Sequence, residues 1–456
     1  MKLYRYRPIN SALAELEDGS FYFADRRELN DPIEGYVKIF FRGDRPAWQG
    51  LLKNFVCSLF YALQTHLLMT RNFDGSREDF LQDFRTRVVL INLQHFDRSP
   101  LKKIFVDLSE QFLHCDEVQQ LVEFYGDARI KCCGKEPEFV LRAVTDAACN
   151  LCVQKCKSLK LLADDFDENF FDVAYELSFA QLKNLPDKER RRYIDEVENL
   201  NCDVMESGLM SLKLNPPNLR DSNGELKQYL LQLKIFFPRM YVEQLKELMY
   251  PDGYVVCFSR TPTDSAMWGN YADDHRGVCF VYETQQLDGH ECINFAVRPL
   301  EVEPIKYDER TIERNFFDAL KHSIFLPAED WLTGADGVKS CKLAELDEAD
   351  DYDDDYREKF YRKLPAWRHE QEYRIFLPDK FYRYKKILTR RLKYDPHALK
   401  GIVFGLRTSL DDKIELIQRL VRLRKSMRNF EFFQAEFDDE TQEISVREKF
   451  LLINPK

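Results

Sequence analysis

Residues Ala366 to Leu377 read A-W-R-H-E-Q-E-Y-R-I-F-L, and the fold of the chain turns on how that stretch is read. Tyr373, Ile375 and Leu377 alternate with Glu370, Glu372, Arg374 and then Phe376, the period of a half-buried strand with one apolar and one ionic face. Two glutamates and an arginine on one face set opposing forces on each carboxyl, because like charge raises its pKa and the guanidinium lowers it. Sites of proton or cation chemistry are built from such conflicts. An edge strand with a solvated outer face gives the same pattern without chemistry.

Around this stretch lie 456 residues, enough for two or three domains with a sizeable core. The 44% hydrophobic and 13% aromatic content marks a globular chain. The 32% charged fraction, with no long apolar run, predicts no membrane span and no membrane partner. Met1 to Pro8 has no apolar signal region, so a cytoplasmic location is expected. The 12 cysteines are scattered through a large chain and read as reduced thiols. A net charge of -11 speaks against a protein that coats nucleic acid non-specifically.

In chain order, Tyr4 to Arg7 and Phe21 to Ala24 read as short aromatic strands separated by a helix capped by Ser11, followed by the turn Asn30-Asp31-Pro32-Ile33-Glu34-Gly35. From Trp48 to Met249 apolar residues recur at helical spacing, as in Phe80-Leu81-Phe84-Val88, with breaks such as Pro216-Pro217. Strands return at Tyr254 to Ser259 and Gly277 to Tyr282, with a short helix between them ending near Ala272. Glu345 to Asp355 is an acidic run expected to be a solvated loop. Leu399 to Gly405 reads as a buried strand, Asp411 to Met427 as an amphipathic helix, and Phe430 to Phe450 as a terminal hairpin.

The sheet thus comes from both chain ends. The expected fold is α+β, with residues 1-46 and 250-456 forming a split core and residues 47-249 an inserted all-helical domain.

Six pieces in order resemble the bacterial family called domain of unknown function 2971. They are Tyr4-Arg5-Tyr6-Arg7, Phe21-Tyr22-Phe23 with Asn30 to Gly35, Cys257-Phe258-Ser259, Met267 to Ala272 with His275 to Cys279, Glu370 to Ile375, and Ile402 to Gly405. A second resemblance is to ADP-ribosyltransferases, in which an early strand carries Arg or His, a second Ser or Tyr, and a late strand Glu. It implies a split-sheet core of that type, NAD as substrate and no metal, with Arg5 or Arg7, Tyr22 and Glu370-Gln371-Glu372 as counterparts.

Cleaving nicotinamide from ribose develops positive charge on the sugar, so a fixed anion is needed there and donors are needed for the pyrophosphate. In this reading Glu372 supplies the anion and Glu370 positions or deprotonates the acceptor. Arg5 or Arg7 holds phosphate, Tyr22 with Trp268 or Tyr271 stacks on a flat ring, Arg374 is a further NAD-binding candidate, and His275 is a candidate base. The expected function is an NAD-consuming ADP-ribosyltransferase or NAD glycohydrolase, a bacterial defence or toxin effector, whose acceptor is protein, nucleic acid or water.

The same residues also allow an ion network linking Arg5 and Arg7 to Glu370 and Glu372, with Trp268 and Tyr271 in the core. One alternative function is a metal-dependent nuclease using Asp31, Glu34, Glu370 and Glu372. Another is a non-enzymatic sensor whose helical block binds a partner protein. Cys149, Cys152 and Cys156, with Cys132-Cys133 and His114-Cys115 upstream, fit either a metal site or a buried helix face. Lys385-Lys386, Arg390-Arg391-Lys393 and Arg422, Arg424, Lys425 and Arg428 fit either a nucleic-acid track or a solvated face.

Overall fold

The computed structural model describes residues 1-31, 33-72, 88-91, 93-166, 182-214, 222-249, 252-309, 311-323, 325-334, 336-344, 352-379, 383-423 and 430-449. Pro32, the Phe80-Leu81-Phe84 pattern, the Pro216-Pro217 break, the acidic run up to Asp351, and Arg424, Lys425, Arg428 and Phe450 lie outside them. The chain forms two compact units. The first is Met1–Val37, Pro251–Ile312 and Asp353–Lys456, and the second is Lys38–Tyr250 and Glu313–Tyr352.

The first unit is built on a curled open sheet of nine strands. They are β1 (Lys2–Arg7), β2 (Ala24–Asp25), β3 (Asp252–Ser259), β4 (Val278–Glu283), β5 (Glu303–Pro304), β6 (Glu372–Asp379), β7 (Leu399–Phe404), β8 (Glu431–Asp438) and β9 (Glu443–Glu448). Their order is β5-β6-β3-β1-β4-β7-β8-β9, with β2 also paired to β3. β7 and β8 run parallel and the other neighbours antiparallel.

Side-chain alternation sorts this sheet into two faces. Leu3, Val256, Phe258, Phe280, Tyr282, Ile375 and Ile402 form the larger core with Phe21 and Phe23. Helices α1 (Ile9–Asp18) and α3 (Leu410–Leu423) add Ala12, Leu16, Leu416 and Leu420 to it. On the other face Tyr6, Cys279, Val281 and Val403 pack with Met267 and Trp268 of α2 (Ser265–Tyr271). Asp264 caps α2 by accepting the Met267 amide. Helix α1 starts at Ile9 after Pro8, with no side-chain cap, so Ser11 lies inside it.

The stretch around Trp367 differs from its sequence reading in two ways. Pro365–Glu370 is a 3-10 turn, and Gln371 swings the chain through φ 43° before the strand begins at Glu372. Glu370 therefore ends the turn outside the strand, and Glu372 is the first residue of the strand. Nor is β6 an edge, since β5 flanks it at Tyr373 and Arg374 while β3 pairs along its whole length. Its ionic face is covered, with Glu372 5% and Arg374 1% exposed.

The second unit is helical, with helices at Arg45–Asn72, Leu101–Leu113, Asp116–Tyr125, Glu136–Ala143, Thr145–Ser158, Asp187–Leu214 and Ser222–Met249. Residues 313-352, read from sequence with the second core segment, cluster here. The physical reason is aromatic: Phe316 stacks on Phe41 at 4.9 Å, and Phe317 meets Trp48 edge-on at 5.7 Å. Cys149, Cys152 and Cys156 point into this core from Thr145–Ser158, where burial pushes each thiol up. Of the acidic run, Tyr352–Glu358 is helix.

Between α2 and β4 the chain turns through Asp273, Asp274 and His275, all with positive φ. Gly277 ends this turn, and a Cβ there would stand 2.2 Å from the Arg7 carbonyl oxygen. Gly277→Ala is expected to destabilise the chain by about 3 kcal/mol, read as a lower urea midpoint, and an unchanged midpoint would show that the turn can give way.

Candidate functional site

Five charged side chains meet on the covered face of β6. Arg374 donates through Nε to Glu372 Oε1 at 2.6 Å and through Nη2 to Oε2 at 2.9 Å. Its guanidinium also pairs with Glu34 Oε1, and Nη1 donates to the Phe360 carbonyl at 2.8 Å. Lys363 Nζ lies 2.5 Å from Glu370 Oε2, 3.2 Å from Glu372 Oε2 and 3.6 Å from Glu34 Oε2. Three carboxyls thus share two cations, and every member is buried.

Two tyrosines complete the cluster. Tyr271, at the end of α2, donates to Glu370 Oε1 at 2.8 Å and accepts from Asn30 Nδ2 at 2.5 Å. The Glu372 amide donates to Tyr307 Oη at 2.7 Å, and Ser259 Oγ donates to the Glu370 carbonyl at 2.8 Å. Asn30 and Glu34 therefore tie both ends of the loop before Gly35 to the cluster. Gly35 has φ +68°, a left-handed conformation that favours glycine.

The electrostatics divide the carboxyls. Burial pushes Glu372 up, but Arg374 and Lys363 outweigh it and hold the group at about 2. For Glu34 burial dominates, the Glu372 charge adds to it, and its pKa is raised despite Arg374 and Lys363. Burial would lower Lys363, yet Glu372, Glu34 and Glu370 hold it above its ordinary value. Burial and the Glu370 charge push Tyr271 up. A cavity of about 70 Å³ adjoins the cluster, with Asp31, Glu34, Tyr36, Asp308, Arg362 and Lys363 in its wall.

Of the sequence candidates, Glu370, Glu372, Tyr271 and Arg374 are brought together. Arg5 and Arg7 are not, because strand alternation turns them to the opposite face of the sheet from Glu372. There both donate to Glu15 Oε2, at 3.1 and 2.9 Å, and Arg5 lies over the Phe21 and Phe258 rings. The network linking Arg5 and Arg7 to Glu370 and Glu372 is thus replaced by one with Glu15, which also accepts from Tyr282. Tyr22 donates to Glu28. Trp268 is fully buried, its Nε1 donating to Pro262 O and its ring edge-on to Tyr6 at 5.0 Å. His275 stacks near Trp268, and burial lowers its pKa.

Lys363, Tyr307 and Ser259 enter the site without having been singled out for chemistry. Lys363 sits in R-K-L-P, which reads as an ordinary solvated pair, and only its burial reveals its place. Ser259 is placed by register alone: Tyr4 pairs with Ser259 and Ser259 with Glu372, so the three form one row across β1, β3 and β6.

Removing one member strands the others. Glu372→Gln is expected to cost about 3–5 kcal/mol, measured by urea unfolding near neutral pH. Because the Glu372 pKa is depressed on folding, its contribution is complete above the ordinary 4.5 and is lost as pH falls from there through about 2. Glu34 works in the opposite sense, since a raised carboxyl favours the fold below 4.5 and withdraws that contribution as pH climbs through its elevated value. Stability of the unaltered chain should therefore fall between pH 4.5 and 2 more steeply than that of Glu372→Gln; parallel profiles would contradict the assignment.

No curated protein and no solved structure matches the chain. A family model described as a protein of unknown function, DUF2971, matches residues 267–375, the segment that carries Tyr271, Tyr307, Lys363, Glu370, Glu372 and Arg374, and over that segment this is the family the chain resembles.

Proposed function

We propose that the first unit cleaves the bond between base and ribose in NAD or a related nucleotide, acting as an NAD glycohydrolase or ADP-ribosyltransferase in a bacterial defence or toxin effector. The observation that carries this reading is one guanidinium bound to two carboxyls whose proton affinities are driven apart, Glu372 down and Glu34 up. Pairs pushed apart in this way divide the roles of fixed charge and proton acceptor. Tyr4, Ser259 and Glu372 stand in one row across adjacent strands, which sets hydroxyl groups on the same face as the Glu372 carboxylate.

In this mechanism the C–N bond breaks and nicotinamide leaves with the electron pair. Glu372 faces the positive charge developing on the ribose. Water or an acceptor hydroxyl forms the new C–O bond and gives its proton to Glu34, while Glu370, held by Tyr271 and Lys363, orients the attacking group. Arg5 and Arg7 face away, and Arg362 on the cavity wall is held by Asp308 and Glu358, so phosphate would have to displace those carboxylates to reach it. A cavity of about 70 Å³ is too small for a dinucleotide, and Arg374 and Lys363 now neutralise Glu372. Substrate entry therefore requires the cluster to open so that Glu372 exchanges Arg374 and Lys363 for the ribose while Glu34 stays within reach of the attacking group.

The nuclease reading has less support, because the Lys363 ammonium occupies the centre of Glu34, Glu370 and Glu372 where a divalent cation would need oxygen ligands. A protein partner on the helical unit is favoured by Leu200 and Val204, exposed one turn apart on Asp187–Leu214.

The test is nicotinamide release from NAD by the full chain, alone and with RNA, DNA or lysate added. Glu34→Gln and Glu372→Gln are each expected to lower release by about 100-fold, with circular dichroism confirming that the variants fold. Tyr271→Phe, a milder change, should lower it less. A folded protein that neither binds NAD nor releases nicotinamide under any condition overturns the reading.

A further inference from the structure

From Arg383 to Tyr394 the chain carries six basic side chains and no acidic one, in a protein whose net charge is -11. The middle of this segment is a rigid loop. The Asp379 carboxylate accepts from the Arg383 amide at 2.7 Å and the Tyr384 amide at 2.9 Å. Arg390, buried with its guanidinium 4.2 Å from the Tyr254 ring centroid, donates to the Tyr384 carbonyl at 3.0 Å and the Lys385 carbonyl at 3.2 Å. A 3-10 turn over Ile387–Arg390 closes the loop, with the Thr389 amide donating to the Lys386 carbonyl.

The result of this bracing is that two aliphatic side chains stand at the tip. Ile387 is 60% and Leu388 83% exposed. Arg383, Lys385, Lys386 and Lys393 are exposed around them. Of the acidic groups around the loop, Glu28 pairs with Arg390 at 3.3 Å and Asp18 with Arg391 at 2.7 Å.

We propose that this loop seats on the anionic headgroup surface of a lipid bilayer, with Ile387 and Leu388 entering the acyl boundary and Arg383, Lys385, Lys386 and Lys393 meeting lipid phosphates. A nucleic-acid backbone answers the lysines and arginines, but two aliphatic tips find an apolar place there only by unstacking bases, at a cost of about a few kcal/mol per step. An anionic bilayer answers both, since basic residues near its surface are attracted by the negative potential while exposed aliphatic groups gain by leaving water. No described helix is long and apolar enough to cross a membrane, so this is contact with the surface alone. The expectation of no membrane partner then narrows to no membrane-crossing helix.

The test is co-sedimentation of the full chain with vesicles of phosphatidylcholine, with and without phosphatidylserine. Binding is expected only to the phosphatidylserine vesicles and is expected to weaken by about tenfold in high salt. The double variants Ile387→Ser with Leu388→Ser, and Lys385→Glu with Lys386→Glu, should each weaken it by about tenfold. These side chains are exposed, so the thermal midpoint should not move. Absence of binding to anionic vesicles overturns the proposal, as does binding that survives loss of the aliphatic pair. Tight binding to duplex DNA or RNA that anionic vesicles do not compete away overturns it in favour of a nucleic-acid track.

Discussion

The Arg374 guanidinium, shared between Glu372 beside it and Glu34 on a distant loop, is the interaction on which the first unit depends. Bringing these charges out of water is unfavourable for each alone, and only their mutual attraction and the hydrogen bonds to Phe360, Tyr307 and Tyr271 offset it. The cluster therefore has to assemble as a whole. It gathers the loop after Asn30, the end of α2, Tyr307 and the segment from Lys363 to Arg374.

The same sheet carries a second buried network on its opposite face, where Glu15 accepts from Arg5, Arg7 and Tyr282. The two networks differ in what they leave available. Around Glu15 two cations and a phenol surround one carboxylate, which satisfies it. Around Arg374 three carboxyls share two cations, and burial, with the Glu372 charge adding to it, keeps the Glu34 pKa raised. The raised carboxyl beside a cavity is the feature on which the proposed function rests. Backbone geometry reinforces the difference, because the left-handed Gln371 aims Glu370 at Tyr271 while Glu372 follows the strand.

Much of the fold was legible in the sequence because hydrophobic periodicity is a local signal. The early strand at Tyr4 to Arg7, the strands at Tyr254 and Leu399, the short helix before Ala272 and the terminal hairpin follow from alternation and turn residues. The helical block follows from spacings of three and four. The segment after Glu313 was misassigned because its aromatic residues carry no period that names their partner, and Phe41 and Trp48, with which Phe316 and Phe317 pack, lie far away in sequence.

The sequence by itself determined that Glu370, Glu372 and Arg374 would be crowded together, since side chains two or four residues apart cannot separate far. It also determined that Tyr271 would sit at the end of a short helix. Only the tertiary structure decided which cations meet which carboxylates. Arg5 and Glu372 lie on nearby strands, yet strand alternation puts them on opposite faces, and a difference of one residue in register reverses that choice. Lys363 reads as a solvated charge until the surrounding chain buries it. Pairings between charges depend on which faces meet in space, and the local pattern of residues carries no record of that.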